Sequence, residues 1–182
     1  FRLLQGDWTL SFDVERVDPW IQAVFLQDAS IRQGMVKYRG VVEYQIENTS
    51  LKTLRVALPG AAQGVAFTGN QVSDFVKGDT VEDGRAVWDV KLDRRMIGKY
   101  QLTVSYQVLL AEDAAGLPVE VQSLRAVDVN LQRGFISVRT EGRILLKAEP
   151  APDGLYRVEW SQVPRSLKGA LNLEETQLVF RS

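Results

Sequence analysis

Apolar and polar residues alternate in stretch after stretch of this 182-residue chain. In an extended backbone successive side chains point to opposite faces, so a period of two marks sheets with one dry face and one wet face. Over residues 99–108, Tyr100, Leu102, Val104, Tyr106 and Val108 share one face, while Gln101, Thr103, Ser105 and Gln107 share the other. The pattern recurs over residues 7–14 (Trp8, Leu10, Phe12, Val14), 41–47 (Val42, Tyr44, Ile46), 54–58 and 86–92 (Ala86, Trp88, Val90, Leu92). Shorter strands are expected over 65–68 and 71–76, as a hairpin around Gly69-Asn70, and over 119–131, 134–140, 143–149, 155–163 and 176–181. Residues 20–29 are apolar without a clear period and are read as a strand.

Asp18-Pro19, Asn48-Thr49-Ser50 and Pro59-Gly60 read as turns, and residues 93–98 as a hairpin loop. A helix fits only residues 164–171. Short strands separated by turns, with no alternation of strand and long helix, predict an all-β fold: an antiparallel β-sandwich with at most one short helix. The chain suits a single large sandwich over 1–182. A subdivision at 112–118, into 1–112 and 118–182, stays open because Ala, Gly and Pro replace the alternation there.

Composition removes whole classes of chemistry. The chain has no Cys and no His, which excludes disulfides, Ser-His-Asp and Cys-His catalysis, and zinc sites built on those ligands. Twenty-two Lys and Arg against 23 Asp and Glu give a formal charge of −1, so no whole-molecule field favours nucleic acid or anionic lipid. No apolar run approaches the roughly 20 residues that span a bilayer. The start at Phe1-Arg2, without Met, reads as a piece of a longer protein, with any targeting signal outside it.

Three stretches, taken in order, carry a family likeness. Val42-Glu43-Tyr44-Gln45-Ile46-Glu47-Asn48 followed by Leu54-Arg55-Val56-Ala57-Leu58-Pro59 resembles a "y-x-I-x-N, then L-x-V-x-L-P" segment. Gly98-Lys99-Tyr100-Gln101-Leu102-Thr103-Val104-Ser105-Tyr106 is similar to a "G-x-Y-x-L-x-V-x-Y" strand. Gly134-Phe135-Ile136-Ser137-Val138, then residues 158–167 with Pro164 and Leu167, resembles a closing segment. All three are features of β-sandwich regions in large, membrane-anchored bacterial envelope proteins that lack an assigned role. The resemblance implies an extracytoplasmic module, in the periplasm or at the cell surface, whose partners are flanking domains or other envelope proteins. It supplies no catalytic motif, cofactor or metal.

Candidate sites compete with plainer readings. Asp13 and Glu15 lie on one side of a strand, and Asp83, Asp89 and Asp93 cluster in sequence; paired carboxylates are the one familiar hydrolytic device left. The wet face of a sheet accounts for them better. Asp79, Glu82 and Asp83 before Gly84 offer oxygen ligands, but Val81 stands where a calcium loop wants Asp or Asn. Asn48-Thr49-Ser50 fits both a glycosylation acceptor and a turn. Arg94, Arg95 and Lys99 are too few for a nucleic-acid footprint.

The four tryptophans suggest a sugar-stacking platform, yet Trp8, Trp88 and Trp160 share the phase of aliphatic neighbours and read as core. Trp20, after Pro19, lacks that explanation. Pro19 and Trp20 are therefore the expected interaction residues, with charged strand faces such as Glu43, Gln45 and Glu47 left wet. The expected function is a non-catalytic structural or docking module. The alternatives are a glycan-binding module using Trp20 or Tyr38, and a carboxylate hydrolase.

Overall fold

The computed structural model describes residues 9–15, 17–111, 118–142, 144–146, 151–174, 176 and 178–182, with the side chains of 79–82 excepted. Trp8, the break at 112–117 and most of the 143–149 stretch lie outside the described residues. The strands are β1 (Trp20–Arg32), β2 (Met35–Pro59), β3 (Gln63–Gly69), β4 (Val72–Val81), β5 (Arg85–Leu109), β6 (Arg125–Val127), β7 (Leu131–Thr140), β8 (Tyr156–Arg157) and β9 (Leu178–Arg181). One α-helix, α1 (Arg165–Leu171), precedes β9. Among the described residues the fold is all-β with one short α-helix, and β1 with β7 is the one parallel pairing among otherwise antiparallel neighbours.

A single hydrogen-bonded sheet makes both layers of the sandwich. Gly69 of β3 pairs with Leu102 of β5, and Val72 of β4 pairs with Leu92 of the same strand. The short link from Gly69 to Val72 holds those two leucines within roughly 20 Å, whereas ten extended residues span about 33 Å. The long strand β5 therefore bends back between them, and β2 bends with it, its register slipping between Ile46 and Thr53. Two positive φ angles mark the bend, 70° at Asn48 and 81° at Gly98, the second a conformation that suits glycine. An Arg95 guanidinium bond to the Ser50 carbonyl at 2.9 Å ties the two strands there. The residues read as turns at 48–50 and 93–98 thus bend two continuous strands; bulges and turns draw on the same residue types.

The bend places Val42, Leu102 and Val104 of one layer against Leu54, Val56, Val90 and Leu92 of the other in a common core. The phases expected for 42–46, 86–92 and 100–106 hold: Leu102 is fully buried and Val104 nearly so. Trp88 is only partly buried, with Phe67 and Phe75 about its ring at 6.0 and 6.1 Å. Tyr38, expected as an exposed aromatic, is instead buried and stacked on Tyr106 at 4.6 Å, because Tyr38 and Tyr106 are directly paired in register.

Burial pushes the Tyr38 phenol from its ordinary 10.0 up to about 12, and raises Tyr44 and Tyr106 in the same direction. A phenol raised in the folded state favours folding fully below pH 10 and loses that contribution as pH climbs through the folded value. Across pH 10 to 12, Tyr38 alone is expected to remove about 3 kcal/mol of stability. Denaturant unfolding in this window should show a steep loss that Tyr38→Phe makes shallower. An unchanged slope in the variant would refute the assignment.

The other face of the first layer carries a second, smaller core. Leu26, Val41, Phe135 and Val179 are covered there by Val163, Leu167 and Leu171. Leu167 and Leu171 stand one helical turn apart, and Asn172 ends α1 in the left-handed region with φ 48°. This explains why β1 lacks a period. From Phe25 to Ile31 every residue of it is buried, since neighbours cover both faces.

Four expected strands are shorter or absent. Residues 9–15 form no strand, and Leu10, Phe12 and Val14 are exposed rather than aligned on a dry face. Of 119–131 only β6 and the first residue of β7 are strand; before them the Gln27 side chain of β1 holds the backbone instead, donating to the Gln122 carbonyl at 2.9 Å and accepting from the Leu124 N–H at 2.6 Å. Of 155–163 only β8 pairs, and Trp160 begins a 3₁₀ turn, Trp160–Gln162, half-buried over the smaller core with the Lys168 ammonium 5.2 Å from its ring. Of 144–146 none is strand.

Candidate interaction surface

The carboxylates proposed from sequence do not converge. Asp13 and Glu15 are exposed on the unpaired segment before β1. Asp89 accepts from Arg55 at 3.2 Å, and the same guanidinium reaches Asp128 at 2.7 Å, so Asp89 belongs to an exposed ion network. Asp93 lies four residues further along β5, roughly 13 Å in an extended chain, which exceeds the spacing glycosidase carboxylates use. It borders a shallow depression with Lys52, Thr53, Ser73 and Lys91. Asp83 sits apart at φ 68° in a 3₁₀ turn, Glu82–Gly84. Among the described residues no three His, Cys, Asp or Glu side chains are grouped to hold a metal ion. The side chains of Asp79 and Glu82 lie outside the described residues. Trp88 and Trp160 belong to different cores, so they form no platform with Trp20.

What the fold does assemble lies on the α1 side of the first layer. Register sets its rows: Trp20 opposite Glu47; Gln22 between Gln45 and Leu131; Val24 between Glu43 and Arg133; Leu26 between Val41 and Phe135; Asp28 between Arg39 and Ser137; Ser30 between Lys37 and Arg139. Alternate residues of each strand share a face, so these rows form one surface. The helix covers its middle. Glu43 accepts from Ser166 of α1 at 3.1 Å and from Gln101 at 3.1 Å, so this residue and Gln45 are half-buried rather than wet; Glu47 is exposed.

At one end a charged cluster surrounds Asp28, which is 2% exposed. Its carboxylate lies 2.7 Å from the Arg139 guanidinium and 3.9 Å from that of Arg39, and Ser137 Oγ donates to it at 3.0 Å. Next to it Ser30 donates to Glu141 at 2.6 Å, and Arg32 pairs with the same carboxylate. The Ser30 bond foremost, then the Arg32 guanidinium, holds Glu141 below the ordinary carboxylate range. Sequence reasoning missed this cluster. Its one signal was Gln27-Asp28 interrupting an apolar run, while Arg39 and Arg139 reach it only through the pairing of β1 with β2 and β7.

At the opposite end the surface is open, with exposed apolar side chains beside exposed Glu47 and Gln22. Trp20 is 41% exposed and begins β1, rather than sitting in a turn; Pro19 before it is half-buried. Asn130 fixes this point, accepting the Ile21 N–H on its side chain at 2.7 Å and giving its own N–H to the Ile21 carbonyl at 2.8 Å. Asn48 donates to the Asp18 carbonyl at 3.4 Å on the other side. Leu131 and, along the entering segment, Leu10, Phe12, Val14 and Val17 are exposed as well.

No protein-family model matches the chain, and no curated protein matches it. Similar solved structures include yeast LTA4 hydrolase in complex with bestatin, at 9% identity and a TM-score of 0.47, where 90% of this chain aligns with 26% of that one. An M1 zinc metallopeptidase from Deinococcus radiodurans aligns over 90% of this chain and 38% of its own, at 9% identity and a TM-score of 0.39. A non-cellulosomal cohesin from Archaeoglobus fulgidus aligns over 68% of this chain and 92% of its own, at 12% identity and a TM-score of 0.36. The chain spans about a quarter of the hydrolase. Among the described residues no helix is long and apolar enough to cross a membrane.

Proposed function

We propose that this chain is a non-catalytic β-sandwich module of a larger bacterial envelope protein, and that it docks flanking domains or other envelope proteins through the Pro19-Trp20 end of its sheet. One observation carries the reading. Leu10, Phe12, Val14, Val17 and Trp20 expose apolar side chains along one continuous segment that leads into the rigid β1 strand. A run of exposed apolar groups is costly in water unless a partner covers it. The absence of His and Cys and the scattered carboxylates favour docking over catalysis, and the role calls for no cofactor. The extracytoplasmic setting rests on the sequence resemblance.

Trp20→Ala tests it. In sedimentation with the flanking domains the variant should bind at least tenfold more weakly, the effect of losing a central aromatic contact of about 2 kcal/mol, while its unfolding midpoint stays within about 0.5 kcal/mol of the parent. Full association by the variant would sink the proposal. A glycan-binding module would use the same exposed ring, and in that case the domains would associate unchanged while sugar binding disappeared.

A further inference from the structure

We infer that the Arg39–Arg139 end of the outer face is a docking site for the carboxylate side chains of an acidic peptide segment in a partner protein. The charges there do not balance. Among the described residues Arg32, Lys37, Arg39 and Arg139 stand against Asp28 and Glu141, a local excess of two positive charges in a chain whose formal charge is −1. Arg139, 2.7 Å from Asp28 Oδ2, is the nearer ion-pair partner of that carboxylate, although the oxygen makes no aligned hydrogen bond among the described residues. Arg39, at 3.9 Å, is beyond hydrogen-bonding length from Asp28, and its side chain is 46% exposed. Its five N–H donors make no hydrogen bond among the described residues. Lys37, one row further on, is exposed and pairs with no described carboxylate. Arg139 and Arg32 each enclose an Nε that has no acceptor among the described residues.

The sheet makes this array rigid. Lys37 and Arg139 flank Ser30 from the two neighbouring strands, so their backbones stand roughly 10 Å apart, and Arg39 lies one row away. Long side chains adjust that span readily to the roughly 7 Å between alternate residues of an extended peptide. Carboxylates fit better than phosphates because Asp28 and Glu141 are fixed in the same patch, and fixed negative charge repels a dianion more than a monoanion. The site is independent of the Trp20 surface, which lies eight residues away along β1, roughly 26 Å.

A fluorescein-labelled hexaglutamate peptide, titrated with the whole chain in low salt and followed by anisotropy, tests the inference. Arg39→Gln and Lys37→Gln are each expected to weaken binding about threefold to tenfold, their combination more than tenfold, and added salt should weaken the parent. Trp20→Ala and Arg94→Gln should bind as the parent does, which separates this site from the Trp20 docking reading. Should Arg39→Gln fail to fold, Lys37→Gln still decides, since it disturbs no ion pair. No binding by the parent, unchanged binding by the double variant, or equal loss on Arg94→Gln would overturn the proposal. So would a phosphoserine peptide that binds the same residues more than tenfold tighter.

Discussion

Gln27→Leu is expected to cost about 2–4 kcal/mol although it exchanges a polar side chain for an apolar one of similar size inside a core. Gln27 is fully buried on the core face of β1. Its Nε2 donates to the Gln122 carbonyl at 2.9 Å, and its Oε1 accepts the Leu124 N–H at 2.6 Å and, at 3.4 Å, the Tyr106 hydroxyl. Residues 118–124 belong to no strand, so these bonds stand in for the ladder that would otherwise hold their backbone. Gly40 opposite makes room: a Cβ there would lie 2.5 Å from the Leu124 side chain, which is itself fully buried.

Leucine at 27 leaves the buried Leu124 N–H and the buried Tyr106 hydroxyl without their acceptor, each costing about 1–3 kcal/mol, and removes the donor to the part-buried Gln122 carbonyl. The loss should appear both as a lower denaturant midpoint and as faster proteolytic cutting within 118–124. A loss below about 1 kcal/mol would show that the segment is held by Leu124 packing alone.

The same clamp shows where sequence was a good guide and where it was not. Alternation identified the faces of 42–46, 86–92 and 100–106, because each of these stretches turns its in-phase apolar residues to the core and, Val87 apart, polar residues to the other face. It failed for β1, buried on both sides, and for residues 9–14, whose alternation has no pairing strand in the structure. Turn chemistry marked 48–50 and 93–98 correctly as places where the backbone changes direction, but a change of direction inside a continuing strand looks the same in one dimension. Trp20 stood out because no phase explained it, and it is exposed. The Asp28 cluster was illegible since Arg39 and Arg139 are 100 residues apart in sequence, and only the antiparallel and parallel registers on either side of β1 bring them together.

Arg139→Met is the second change with a large expected effect, and it separates stability from recognition. Removing one partner of a buried ion pair leaves the other charge with little solvent, a loss of about 3–5 kcal/mol in a closed interior. Arg139 is 34% exposed and Arg39 stays within 3.9 Å, so solvent screening and the second guanidinium reduce the expected cost to about 2–4 kcal/mol. Asp28→Leu combined with Arg139→Met removes both charges and lets the row join the apolar patch of Leu26, Val41 and Phe135 beside it. The double variant should recover to within about 1 kcal/mol of the parent, because apolar replacement of a buried pair is commonly neutral or stabilising. If the pair is held for stability alone, hexaglutamate binding should survive in the recovered protein. Arg39 and Lys37 keep the excess of two positive charges there, so the docking site also requires binding to survive, and its loss while the unfolding midpoint returns would overturn the assignment to those two residues. If Arg139→Met costs less than about 1 kcal/mol, Arg39 already neutralises Asp28 by itself and the unpaired guanidinium of this face is Arg139 rather than Arg39.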